Sequence, residues 1–230
     1  MKKLLKILKW IGLGFLGLLL IFTIAGFFMS EELPKGSSPN EADRLAEQIL
    51  EELNYEAYKN TSYIGWTFAG IHSYEWHKAD DYVIVKSDDY EVKLDLSDYS
   101  KSEVISSKNS DEQALIKSCI KNFNNDSFWL VAPYKIMEDQ VERKIVRQDG
   151  DKSLLVTYTS GGSTPGDSYL WKLDQNKRPT SFKMWVSIIP VGGLEAQWTN
   201  WKSTDSGAVL STRKTVFGIP IEISNLVTKP

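Results

Sequence analysis

The chain has 230 residues, 42% hydrophobic and 25% charged, a balance that fits one globular domain with or without an anchor. Its single cysteine, Cys119, excludes an intramolecular disulfide and a multi-cysteine zinc centre. Beyond residue 30, 23 basic residues face 30 acidic ones, a net charge of −7 that argues against nucleic-acid binding and against electrostatic attachment to anionic lipid.

Residues 1–9 form a basic segment with Lys2, Lys3, Lys6 and Lys9, and residues 10–29, WIGLGFLGLLLIFTIAGFFM, contain no ionisable side chain. Twenty helical residues cover roughly the 30 Å of a bilayer's hydrocarbon core, so this stretch is predicted to be a transmembrane anchor. It exceeds the usual signal-peptide core of about 7–15 residues, and no small-x-small site precedes Ser30. Retention is therefore the expectation, with cleavage after Ala25 or Gly26 left open. The lysines place the N-terminus in the cytoplasm and residues from about 31 onward outside. No cysteine lies between positions 24 and 40, so the anchor is protein and not lipid.

Residues 30–38, SEELPKGSS, read as a polar linker, and 39–230 as one domain. Ser38 and Glu41 have capping-box spacing. Ala42, Leu45, Ala46, Ile49, Leu53 and Ala57 recur at helical spacing, which predicts a helix over about 39–59. The period then changes to two. Tyr74 and Trp76 alternate with polar residues, and Tyr90, Val92, Leu94 and Leu96 share one side of a strand that follows a turn at Ser87–Asp89. A second capping box, Ser110 to Gln113, opens a predicted helix of about three turns through Phe123. Eight strand-like runs follow, starting with SFWLVAPY and ending with IPIEISNL, separated by turns such as Asp149–Asp151 and Gly192–Gly193. The expected fold is α+β: a curved, half-open, barrel-like antiparallel sheet of roughly eight to ten strands with about two helices packed on it.

Chemistry is sparse. The loop SGGSTPGD, 160–167, lacks the lysine and the following helix of a phosphate loop, so it reads as a strand connection. His72 and His77 lie five apart, a spacing that does not put both on one strand face, and neither a metal pair nor a serine triad is expected. Asp80–Asp81 and Asp88–Asp89 fall at turns, where aspartate caps backbone. Cys119 reads as a buried structural thiol. No metal or other cofactor is expected.

Tryptophan is the excess, with seven beyond the anchor. The bland interpretation is an aromatic core; the functional one is an apolar groove for a lipid or other amphiphile. Candidate groove residues are Trp129, Tyr134, Tyr169, Trp171, Met184 and Trp185, with Trp171 and Trp185 on adjacent strands and expected on one sheet face.

The blocks FNNDSFWLVAPYK (123–135), LLVTYTSGGSTPGDSYLWKLDQNKRPTSFKMWV (154–186) and GGLEAQWTNWKSTDSGAVLSTRKT (192–215) resemble the lipoprotein-carrier superfamily of bacterial envelopes, LolA/LolB-like. The chain also resembles membrane-anchored envelope proteins of Bacteroidetes type. The resemblance covers about residues 60–227 and implies a half-open barrel whose apolar cavity receives acyl chains, in a non-catalytic, lipid-binding periplasmic domain. The carriers are soluble or lipid-anchored, whereas this chain reads as held in the inner membrane by a helix, which fits reception or presentation of an amphiphile better than shuttling. The expected partner is a lipid or other amphiphile, or another envelope protein. Two alternatives stand beside it: an interaction or scaffold module with a filled core, and an envelope hydrolase with a polar cleft.

Overall fold

The computed structural model describes residues 30–108, 111–148, 150–160 and 165–230, together with Trp10 and Gly26. The predicted anchor otherwise lies outside the described residues, and no described helix is long and apolar enough to cross a membrane.

Twelve strands form one antiparallel sheet: β1 (Tyr63–Phe68), β2 (His72–His77), β3 (Tyr82–Ser87), β4 (Tyr90–Asp95), β5 (Glu103–Ser107), β6 (Val141–Gln148), β7 (Asp151–Tyr158), β8 (Ser168–Leu173), β9 (Pro179–Trp185), β10 (Leu194–Ser203), β11 (Val209–Val216) and β12 (Ile219–Lys229). Their order is β5-β4-β3-β2-β1-β12-β11-β10-β9-β8-β7-β6. Neighbours in sequence pair through short hairpins. At Phe217 and Gly218, both at positive φ, the chain turns as a two-residue hairpin requires. One non-sequential pairing, β1 with β12, joins the two meanders. The sheet stays open, because β5 and β6 are its two edges.

That order dictates the helix between them. The chain must pass from one edge of the sheet to the other between β5 and β6, and α3 (Glu112–Val131) makes the crossing. At 1.5 Å per residue its 20 residues span about 30 Å, whereas twelve strands laid flat would span about 50 Å. The sheet therefore wraps. One contiguous core joins Trp66 of β1, Leu94 of β4, Trp171 of β8 and Trp198 of β10 to Cys119, Phe123 and Leu130 of α3. Asp111 starts α3, its carboxylate accepting from the Ala114 N–H, in place of the predicted Ser110, which lies outside the described residues. The run SFWLVAPY, predicted as a strand, is the last turn of α3 and the short 3-10 turn Ala132–Tyr134. Its apolar residues lack a two-residue period because the wrapped sheet contacts the helix on several sides.

The predicted N-terminal helix is two. α1 (Pro39–Glu52) ends where Asn54 takes φ 56°, and α2 (Tyr55–Asn60) follows. The Leu53 carbonyl accepts from the Tyr134 hydroxyl at 2.7 Å and from the Val209 N–H at 3.2 Å, which takes up an acceptor freed at the break. Ser38 makes no capping bond, and Glu41 instead pairs with Arg147 and Lys152 across to β6 and β7. Strands β1 and β5 went unrecognised in the sequence, which is why the sheet exceeds the expected count.

The opposite sheet face carries a small apolar cluster, Val146, Leu155 and Leu170, with Trp185 against it. Residues 30–37, predicted as a linker, lie along this part of the sheet. Glu31 N–H donates to Gly192, the Trp185 indole donates to the Glu31 carbonyl, and Ser37 bridges to Ile145. A Cβ at Gly36 would stand 2.5 Å from that of Lys144, and one at Gly192 2.6 Å from the Glu31 oxygen, so the strap needs both glycines.

Because Phe123 is buried and packs α3 against Trp66, Tyr74 and Trp76, Phe123→Ala should cost about 3–5 kcal/mol. A denaturant titration of the chain should show the corresponding fall in midpoint with little change in slope.

Candidate ligand-binding site

Two aromatic cages grip α3. Phe123 sits among Trp66, Tyr74 and Trp76, with ring centroids 6.3, 5.9 and 5.4 Å away. Further along, Phe128 meets Tyr169 at 4.9 Å and Trp129 meets Phe182 at 5.5 Å. Behind them Phe182, Trp171 and Trp198 pack mutually at 5.0–5.7 Å, edge-on or tilted as their quadrupoles favour.

The register assigns each candidate groove residue a place. Tyr169 pairs with Met184 and Trp171 with Phe182, so the strands of Trp171 and Trp185 are adjacent as expected, and these four side chains share the concave face. Trp185, opposite Ser168, belongs to the other face. The expectation that Trp171 and Trp185 are neighbours on one face is therefore corrected: Leu173 faces Pro179 across a bulge, and the regular register beyond it sets Trp185 three positions from Phe182, which inverts its side. Trp129 reaches the cluster from α3. Tyr134 stands apart, stacked on Tyr58 at 4.0 Å with its hydroxyl at 2.7 Å from the Leu53 and Val209 carbonyls, where it fastens the α1–α2 break to β11.

The concave face is filled. Trp171 and Trp198 are each 1% exposed and Phe182 is 0% exposed, which leaves no water-sized void against them. This packing replaces the open groove expected from sequence. The filled core nevertheless has a polar anomaly. The indole N–H groups of Trp66, Trp171 and Trp198 and the Tyr158 hydroxyl are buried without a hydrogen-bond partner among the described residues. Such groups are rare in protein interiors because each forgoes its bond to water. Lys214 of β11 is also fully buried. Its ammonium donates to the Ser211 carbonyl at 2.6 Å and lies 4.3 Å from the centre of the Trp198 ring. Burial holds it well below the usual lysine range. Sequence reading missed Lys214, although it falls in phase with the buried Leu210 and Thr212 along β11.

His72 and His77 separate. His77 stacks on Tyr82 at 4.3 Å. The Nδ1 of His72 lies 2.9 Å from Asp126 Oδ2 on α3, and the same oxygen accepts from the Tyr74 hydroxyl at 2.6 Å. On the other side of the ring, Nε2 faces the Asn122 amide at 3.4 Å, not a serine or cysteine nucleophile. Asp126 is 3% exposed, and Asn125 also donates to it. This cluster ties the middle of α3 to β2. Burial pushes the Cys119 thiol up to about 11, so it stays protonated at neutral pH. Asp167 accepts from the Ser187 N–H at 2.9 Å, joining the β7–β8 connection to the one after β9. No group of metal-ligating side chains occurs among the described residues.

A polar concavity of about 1140 Å³ opens between α1 and the β6–β7 and β8–β9 turns. Its walls carry Glu41, Arg44, Lys152, Lys172 and Lys177. Hydrogen bonds from Lys152 and then Arg147 hold Glu41 below the usual carboxylate range. Glu41 there is ion-paired with Arg147 and Lys152, and Lys172 with Glu195.

No family model matches the chain, and no curated protein does. Among solved structures, the chain is similar to a Vibrio parahaemolyticus domain described as belonging to an outer membrane lipoprotein-sorting protein. The overlap has a TM-score of 0.35 and 10% sequence identity, and covers 80% of this chain and 93% of that one. A likeness at that level leaves fold and function to the strands and side chains themselves.

Asp126→Ala should strip the buried Tyr74 hydroxyl of its acceptor, at a cost of about 1–3 kcal/mol. Hydrogen exchange should show it as faster exchange confined first to α3. At pH 8 iodoacetamide should leave Cys119 unmodified in the native chain and alkylate it on unfolding, which mass spectrometry can follow.

Proposed function

We propose that the chain is an envelope protein held in the bacterial inner membrane by residues 10–29, with its domain in the periplasm, where it binds an apolar or lipid-like ligand without catalysing a reaction. The observation that carries the ligand reading is the concave face. An aromatic surface running from Trp66 to Phe182 lies against α3, in a core that α1 also enters with Leu45 and Ile49, and displacing α3 would bare the part that Phe123 and Trp129 touch. The helix is tied to the sheet by few polar bonds, chiefly those of Asp126. Carrier domains of the kind the sequence resembles present such a face to acyl chains.

Membrane attachment has its own support. Ser30 and Glu31 are fastened to Gly192, in the connection between β9 and β10. A Cβ built on Gly26 would stand 3.3 Å from Val191 of the same connection. The chain thus leaves the domain at the end of the sheet where Ile188, Phe217 and Ile219 are 67–71% exposed. Apolar tips beside the exit of an anchor suit a surface resting on lipid headgroups.

Closure of the core favours the second reading, an interaction or scaffold module. Photolabelling separates the two. The full chain in nanodiscs should be exposed to a diazirine-bearing long-chain alcohol and the labelled peptides mapped. Labels on β8–β10 and α3, reduced several-fold by Trp171→Ala and unchanged by Trp185→Ala, are expected. Labels restricted to residues 10–29 would overturn ligand binding and leave the scaffold reading.

A further inference from the structure

We infer that the concave face takes an amphiphile with a single negative charge on its headgroup, a carboxylate of the fatty-acid kind, held by Lys214 and the indole N–H groups of Trp171 and Trp198. The inference rests on the lipid-binding reading and names the class of molecule within it.

The interior is rich in donors and poor in acceptors. Lys214 is fully buried, and among the described residues the one hydrogen bond its ammonium makes is to the Ser211 carbonyl. No ion pair among the described residues involves it, and the charged partners nearest in sequence, Arg213 and Glu222, pair with each other. An ammonium can donate three hydrogen bonds, so two remain to be used. The ring of Trp198 lies beneath it, and Trp171 meets that ring edge-on at 5.2 Å. Both indoles have unpartnered N–H groups. A lysine and two indoles in adjoining positions on β8, β10 and β11 thus present unused donors to the same aromatic core.

Burying an unpaired cation or an unbonded N–H is unfavourable, and a site built only for packing would place apolar side chains here. A carboxylate supplies what is absent: one negative charge against one positive, and lone pairs for several donors. The ligand's carboxylate pairs directly with the Lys214 ammonium, with no covalent bond made or broken. The acyl chain would occupy the space now filled by the Phe128–Trp129 half of α3. A neutral lipid of the same length would fill that space equally but leave Lys214 unpaired.

The test uses the full chain in nanodiscs and two diazirine probes of equal length, a fatty acid and the corresponding fatty alcohol. Labelling of β8–β11 by the acid should exceed labelling by the alcohol roughly tenfold or more, the usual worth of a charge-assisted bond. Lys214→Met should bring the two probes level while keeping alcohol labelling, and should raise the denaturant midpoint of the unliganded chain. Trp171→Phe, which keeps the ring but loses the N–H, should lower the acid preference by a smaller factor. Equal labelling of the native chain by both probes, or a preference that survives in Lys214→Met, would overturn the inference. If neither probe reaches β8–β11, the lipid-binding reading itself fails.

Discussion

The crossing of α3 from one edge of the sheet to the other is the constraint on which the rest of the structure depends. With β5 and β6 at opposite edges, the chain between them traverses a whole sheet face, and a 20-residue helix does so with its backbone satisfied internally. The sheet answers by wrapping, which brings strands from both meanders onto one helix. Phe123 is gripped from β1 and β2, while Phe128 and Trp129 are gripped from β8 and β9. The aromatic excess of the sequence is the material of that grip, since large rings bury much area per residue and tolerate edge-on contact at several angles.

Burying the helix along a curved face also imposes polar accounting. Asp126 is buried on α3 and is satisfied by Tyr74, His72 and Asn125, so its position fixes the helix against β2. The other half of the core has no such settlement. Lys214 has a single acceptor there and the indoles of Trp171 and Trp198 have none among the described residues, although the apolar packing is complete. A core that is closed sterically but open in its hydrogen bonding is the physical basis for proposing a ligand there. The opposite face differs in kind: its small apolar cluster is flanked by the strap of residues 30–37, and ion pairs such as Lys183 with Glu31 hold that strap down.

Much of this was legible in the residues. Alternation marked β4 because Val92 and Leu94 are buried on one face while Glu91, Lys93 and Asp95 on the other reach water. The pairing of β8 with β9 followed from two aromatic runs and the turn between them. The C-terminal half of α3 was not legible. FWLV has the composition of a strand, and a helix surrounded on several sides loses the 3.6-residue stripe that would reveal it. The side of the sheet taken by Trp185 was equally hidden, since register depends on a bulge that only pairing creates. Lys214 stood in the buried phase of its strand, but nothing local distinguishes a buried lysine from one that reaches water.

The sequence by itself determined the anchor-like apolar run, the acidic balance beyond it, the α+β class and the strands whose two faces differ in polarity. These are local properties, set by side-chain chemistry and by periods of two and 3.6 residues. The tertiary structure alone decided that the two meanders join through β1 and β12, that α3 fills the concave face, and that Trp171, Trp198 and Lys214 meet there. Those outcomes depend on contacts between residues far apart in the chain, where packing and hydrogen-bond accounting act on the whole fold at once and override what each segment prefers alone.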